Sequence, residues 1–133
     1  MRRRLEIRVV GAHVDQLVAA RHGPAADVAD AMRAHPELVG GTDRAASRLM
    51  AGVPGLLAKD GAEGVFAAAR TGTGAVAVKI DDGSARAAEC AVIAGLRRLG
   101  ISGEVLDERA EAPVTGGGAT VGAIRIRPAL FTR

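Results

Sequence analysis

Apolar and polar positions alternate at the start of the chain: Leu5, Ile7 and Val9 are interleaved with Glu6 and Arg8. A period of two predicts a half-buried strand. The stretch "HVDQLVAARHG" predicts a short helix ending at Gly23, and Pro24 suits the first turn of a second helix, "PAADVADAMRAH". On that helix Val28, Ala31, Met32 and His35 share one face, opposite Asp27, Asp30 and Arg33, and Pro36 stops it or bends it out. "VGGTDRAASRLMAGVPG" reads as a glycine loop, a short helix entered near Thr42 or Asp43, and an exit at Gly52–Pro54. "LLAK", "GVFAAAR" and "AVAVKI" are extended segments. The turn Thr71–Gly74 is too short for a parallel crossover, so the last two form an antiparallel hairpin. "DDGSARAAECAVIAGLRRLG" is the clearest helix: Ser84 caps it, Ala88, Val92, Leu96 and Leu99 form its stripe, and Gly100 ends it. "EVLDERAEAP" is a short helix or irregular, "TGGG" a flexible turn, and "TVGAIRIR" a final strand with Val121, Ala123 and Ile126 apolar.

Strands and helices are mixed without a repeating strand–helix–strand series. The expected class is α+β, with helices packed on a mostly antiparallel sheet. A chain of 133 residues fits one domain. Its residues are 48% hydrophobic but only 2% aromatic, so Ala, Val, Leu and Ile must build the core at close approach. Met1–Gly23 carries the whole net charge of +3, while thirteen basic and thirteen acidic residues balance from Pro24 onward. With no basic face running through the fold and no stacking aromatics, a nucleic-acid partner is not expected. One cysteine, Cys90, excludes an internal disulfide, and no apolar run is long enough to span a bilayer. The expectation is a cytoplasmic chain with no membrane segment.

Candidate chemistry is sparse. "TGTG" and "TGGG" lack the spacing of nucleotide-binding loops and read as turns. His13, His22 and His35 have no ligand spacing, so neither a metal nor a cofactor is expected; His35 reads as a packed helix-end residue and Cys90 as a small buried hydrophobe. Two charged glycine stretches remain. "KDGAEG" is either a β-turn with a solvated lysine or part of a pocket. In the pocket reading Lys59 holds a carboxylate or activates a nucleophile, Gly61 and Gly64 let a ligand lie against the backbone, and Glu63 pairs with an ammonium group. A free amino acid carries both charges. "KIDDGSAR" repeats the formula, with Lys79, Asp81, Asp82 and Arg86 around Gly83, and reads equally as a capped helix start with local ion pairs.

Taken in order, "MRAHPELVGGTDR", "LMAGVPGLLAKDGAEGV", "AVAVKIDDGSARA" and "VGAIRIRP" resemble the carboxy-terminal half of the type II L-asparaginases typified by the rhizobial enzymes. That family is related in fold to the serine β-lactamases and penicillin-binding proteins. The resemblance covers about Pro24 to Pro128 and sets Met1–Gly23 apart from an asparaginase-like half-domain at 24–133. It implies hydrolysis of L-asparagine to L-aspartate and ammonia. It also implies a catalytic Lys59 in a Lys-x-Gly element, with Gly61 lining the substrate site; Gly64, Lys79, Asp82, Gly83 and Arg86 fit the family pattern and read equally as structural.

The family's nucleophile motif is Ser-x-x-Lys, yet Ser47, Ser84 and Ser102 are followed at that spacing by Met50, Ala87 and Val105. Asp60 stands where the family usually has a small residue, and Ala46 and Ser47 where it more often has Asp and Thr. The expectation is a fragment or truncated frame, inactive alone, that self-associates or pairs with a missing amino-terminal half. The rival is a non-catalytic amino-acid-binding or scaffold domain of the same descent.

Overall fold

The computed structural model describes residues 5–8 and 20–127. The predicted helix at 13–23 lies mostly outside them. Three strands run consecutively as an antiparallel meander: β2 (Leu56–Asp60), β3 (Val65–Arg70) and β4 (Gly74–Ile80). The first strand, β1 (Leu5–Arg8), joins the far side of β4, giving the order β1-β4-β3-β2. Its register sets Ile7 opposite Val78.

Alternation decides what each side of this sheet meets. Phe66, Ala68, Val76, Val78 and Ile80 are buried, and they share the side against which α4 (Ala85–Arg98) packs. Gly95 of that helix lies so close to Val76 that a Cβ there would fall 2.6 Å from its Cγ1. The sequence-predicted stripe of α4 holds for Ala88, Val92 and Leu96, which are buried, while Leu99 caps the end of the helix and is only partly buried. Ser84 caps the helix, its Oγ accepting from the Ala87 N–H at 3.3 Å. A second layer, α3 (Ala45–Gly52), packs on β2 and on α5 (Glu104–Glu108), closing a core around Leu49, Leu56, Ile93, Leu96, Ile101 and Leu106. The class is therefore α+β with antiparallel sheets and helices packed against them, as expected.

Local departures have physical causes. Helix α1 (Pro24–Ala34) buries Ala26 and Ala29, not Val28 and Ala31. Small side chains let its backbone approach β2, so the stripe is rotated, with Met32 at its edge and Val28 half exposed. His35 is not packed: it caps the end of α1 with its side chain 62% exposed, 3.9 Å from Glu37. The expected glycine loop is partly helical, since Pro36–Gly40 forms α2 before a turn at Gly41. Ser47 is the buried polar residue here, its hydroxyl 2.9 Å from the Pro36 carbonyl and 2.7 Å from that of Gly41, which ties this turn to α3. Near the end of the chain, β5 (Ala112–Gly116) is a strand that the sequence did not suggest, and β6 (Ala119–Ile124) is shorter than "TVGAIRIR". The two make a separate ribbon lying against α4. Among the described residues no helix is long and apolar enough to cross a membrane.

Candidate functional site

The chemistry of the fold gathers where the β2–β3 turn meets the first turns of α4. A cleft of about 290 Å³ opens there. Its floor is Asp60 and Gly61 at the end of β2, with Val65 and Phe66 at the start of β3; one wall is Arg86 and Glu89 of α4. The loop before α3 contributes Asp43 and Arg44, and Arg109 reaches in from beyond α5.

Most of these charges are paired. Arg44 Nη2 donates to Asp60 Oδ2 at 3.2 Å. Arg109 donates to the Glu89 carboxylate, with both side chains about three-quarters buried, and also to the Asp43 carbonyl at 3.0 Å. The Asp43 carboxylate is 80% exposed, with Arg48 at 3.7 Å. Arg48 itself hydrogen-bonds Glu108 at 3.2 Å. Arg86 Nη1 reaches the Pro113 carbonyl at 3.3 Å, and no carboxylate among the described residues pairs with it.

Lys59 and Asp60 are neighbours on a strand, so their side chains start from opposite sides of the sheet. Asp60 lies opposite the buried Phe66 and takes the cleft side. Lys59 does not line the cleft. Because β2 ends the sheet order, its ammonium can turn around the edge, where it donates to the Asp60 carbonyl at 2.5 Å and to Asp60 Oδ1 at 3.2 Å. Partial burial pushes the Asp60 carboxyl up, but the hydrogen bonds from Arg44 and Lys59 outweigh it and hold the group below its ordinary value.

The remaining candidates form a joint beside the cleft. Gly61 closes the β2–β3 turn by donating its N–H to the Val65 carbonyl at 2.9 Å. Glu63 is exposed and sits at φ 55°, and its carbonyl accepts from Lys79 Nζ at 2.6 Å. Lys79 also donates to the Ile80 carbonyl at 2.9 Å. Gly64 and Gly83 press together: a Cβ on Gly64 would lie 2.9 Å from the Gly83 carbonyl carbon and 3.0 Å from both its Cα and the Ile80 Cβ. Asp82 Oδ1 accepts from the Ser84 N–H at 3.0 Å and so sets the start of α4.

The two glycine stretches singled out in the sequence are thus neighbours in space. Gly61 and Arg86 line the cleft and Lys59 reaches its rim through Asp60, while Glu63, Gly64, Lys79, Asp82 and Gly83 fasten the β2–β3 turn to the β4–α4 junction. Sequence reasoning passed over Asp43, Arg44, Glu89 and Arg109. Glu89 carried a signal, being one helical turn from Arg86; Arg109 carried none. Cys90 is buried, its thiol 3.6 Å from the Ile124 carbonyl. Burial pushes that thiol up in pKa, and the nearby Glu89 charge adds to the shift. Among the described residues no three His, Cys, Asp or Glu side chains converge as a metal set.

An antiparallel sheet under helices, with a cleft lined by charged side chains of both signs, is the setting in which the family comparison falls. The L-asparaginase II family model matches residues 4–126, and the chain belongs to that family. The match takes in β1 and runs through the segments quoted from Pro24 onward as far as Ile126, two residues short of the end of the last one. L-Asparagine is the substrate that this membership implies. Among curated proteins none matches the chain significantly.

Proposed function

We propose that this chain is the carboxy-terminal half of a rhizobial-type, serine β-lactamase-like L-asparaginase, and that it supplies one wall of the asparagine site without the nucleophile. The half-domain runs from Pro24 to Arg133, and Met1–Gly23 leads into it. The observation that carries the reading is the position of Asp60–Gly61. In a chain of this family, the end of the Lys-x-Gly stretch forms the floor of a charged cleft of amino-acid size. The 133 residues hold no Ser followed three positions on by Lys, which supports an incomplete catalytic set.

In the complete enzyme a serine from outside these residues attacks the side-chain amide carbon. A lysine pair that includes Lys59 takes the serine proton and delivers it to the leaving ammonia, and backbone N–H groups hold the oxyanion. Water then releases aspartate. Gly61, Glu63 and Gly64 shape the approach to the substrate. Lys59 can act only when it lets go of Asp60. Lys79, held by two backbone carbonyls, has the bonding of a structural residue.

An ammonia-release assay with L-asparagine on the purified chain is expected to show no turnover, since a nucleophile acting as a unit with its base is worth many orders of magnitude in rate. Ordinary turnover, abolished by Lys59→Ala, would overturn the incomplete-site reading. In a complete enzyme containing this half, Lys59→Ala is expected to lower kcat/KM far more than Lys79→Ala. The bond from Lys59 to Asp60 favours a second reading, in which the pocket wall persists as an amino-acid-binding or scaffold domain with no chemistry. Asparagine binding by a complete assembly that never turns over would select it. Pairing with the other half, or with a second copy, is expected under the first reading, and sedimentation of the purified chain at micromolar concentration tests it.

A further inference from the structure

We propose that Arg86 is the anchor for the α-carboxylate of the amino acid in this cleft, with Asp43 receiving its ammonium group. The inference rests on the asparagine-site reading above and assigns the two ends of the ligand. Of the three arginines lining the cleft, Arg44 is engaged by Asp60 and Arg109 by Glu89. Arg86 alone has no carboxylate among the described residues, and one long hydrogen bond to a carbonyl leaves most of its five donors open. It also borders an adjoining cleft of about 440 Å³ on the Pro113 side, so its guanidinium stands between the two spaces. A planar fork of N–H donors with open valence is the group that binds a carboxylate in two-point fashion.

Its backbone is well placed for that task. Arg86 lies in the first turn of α4, which Asp82 and Ser84 set from the β4 side and which the Gly64–Gly83 contact fastens to the floor of the cleft. Asp43 is the complementary group. Glu89 and Asp60 each have a cation within hydrogen-bond distance, whereas the nearest approach to the Asp43 carboxylate is Arg48 at 3.7 Å. One cation with no carboxylate partner among the described residues and one exposed anion whose ion pair with Arg48 is long, both lining the same cleft, match a zwitterion better than a dicarboxylate or an amine. A volume of about 290 Å³ lies at the small end of ligand pockets, roughly 300 Å³ and upward, and suits a free amino acid.

Titration of the purified chain with L-asparagine, L-asparaginamide and succinamate, followed by NMR, separates the contributions. L-Asparaginamide masks the carboxylate, and succinamate lacks the ammonium group. Arg86→Gln is expected to weaken L-asparagine and succinamate about ten- to hundred-fold, the range for a charged hydrogen-bonded contact, and to leave L-asparaginamide unchanged. Asp43→Asn is expected to weaken L-asparagine and L-asparaginamide and to spare succinamate. Arg86 is exposed, so the variant is expected to keep the wild-type melting curve. Equal affinity of wild type and Arg86→Gln for L-asparagine would overturn the anchor and leave the asparagine-site reading standing. Arg86-dependent binding of succinamate without binding of L-asparagine would support the anchor and overturn that reading. No binding of any of the three probes would overturn the anchor and leave standing the half-enzyme reading, in which another half completes the site.

Discussion

Replacing Gly64 by alanine tests whether the two glycine turns really form one joint. Gly64 has φ 71°, and its missing Cβ is what lets Gly83 and Ile80 approach. The left-handed conformation costs a residue with a Cβ about 1–2 kcal/mol. Contacts of 2.9–3.0 Å with Gly83 backbone atoms cannot be relieved by rotating a side chain, and overpacking of that kind costs roughly 1–3 kcal/mol more. Gly64→Ala is therefore expected to lose about 2–5 kcal/mol. Gly72 is the control: its φ is 73°, but nothing lies within 4 Å of its Cβ position. Gly72→Ala has the conformational cost alone, and the lower unfolded-state entropy of alanine affects both variants equally. An unfolding entropy of about 2.1 cal/mol/K per residue makes each kcal/mol worth roughly 3.6 °C in a chain of this length. The expected Tm losses are about 7–18 °C for Gly64→Ala and about 4–7 °C for Gly72→Ala. Urea unfolding followed by circular dichroism gives the difference directly, as a shift in midpoint at constant slope. If the two variants agreed within about 0.5 kcal/mol, the Gly64–Gly83 contact would not be a rigid joint, and its role in setting the cleft would fall with it.

Gly95→Ala is expected to cost about 1–3 kcal/mol by driving α4 off Val76, and Val76→Ala in the same chain should return part of that loss, as a double-mutant cycle in urea would show. The Asp60 carboxyl is held below its ordinary value of 3.8, so its contribution to stability is present above that value and is lost as pH falls through the lower folded one. Wild type should accordingly lose more stability than Asp60→Asn between neutral pH and about pH 2, and parallel pH profiles would refute the Arg44–Asp60–Lys59 arrangement. Cys90 should react with a thiol reagent at neutral pH only as fast as the chain opens, more than about a hundred-fold slower than in denaturant; prompt labelling of the folded chain would contradict its burial.

What the sequence made legible tracks the size of the side chains involved. Val76, Val78 and Ile80 alternate with smaller or charged neighbours, and the β4 strand follows that alternation. Helix α4 buries Ala88, Val92 and Leu96 as its spacing predicts, with Leu99 falling at its cap. On α1 the ordinary rule fails because close approach to β2 favours alanine, and a hydropathy pattern cannot tell a buried alanine from an exposed one. Strand β5 was hidden because Pro113 ended a segment read as a short helix or irregular, and the glycines at 116–118 read as a flexible turn. Proline is tolerated there because β5 belongs to a two-stranded ribbon with an open edge. At the site, the glycine stretches marked the right region, but strand alternation sends Asp60 into the cleft and Lys59 to its rim. The Arg109–Glu89 pair spans 20 positions and depends on tertiary packing, which no local spacing reports.

The strand order β1-β4-β3-β2 also determines which parts of the molecule can form first. The β2–β3–β4 meander and the helix that covers it occupy one continuous stretch, residues 56–98, so these contacts close only short loops. Adding β1 to β4 joins positions about 70 residues apart, at a larger loop-closure cost that is repaid only after β4 already has its partner. The domain should fold from its centre outward, with the Val76–Gly95 contact in the nucleus and the β1 edge added late. Substitutions at that contact should then slow refolding, and changes in β1 should mainly speed unfolding. An edge acquired last is also the first to open under stress, exposing the flank of β4 while the cleft at the other end of the sheet stays closed.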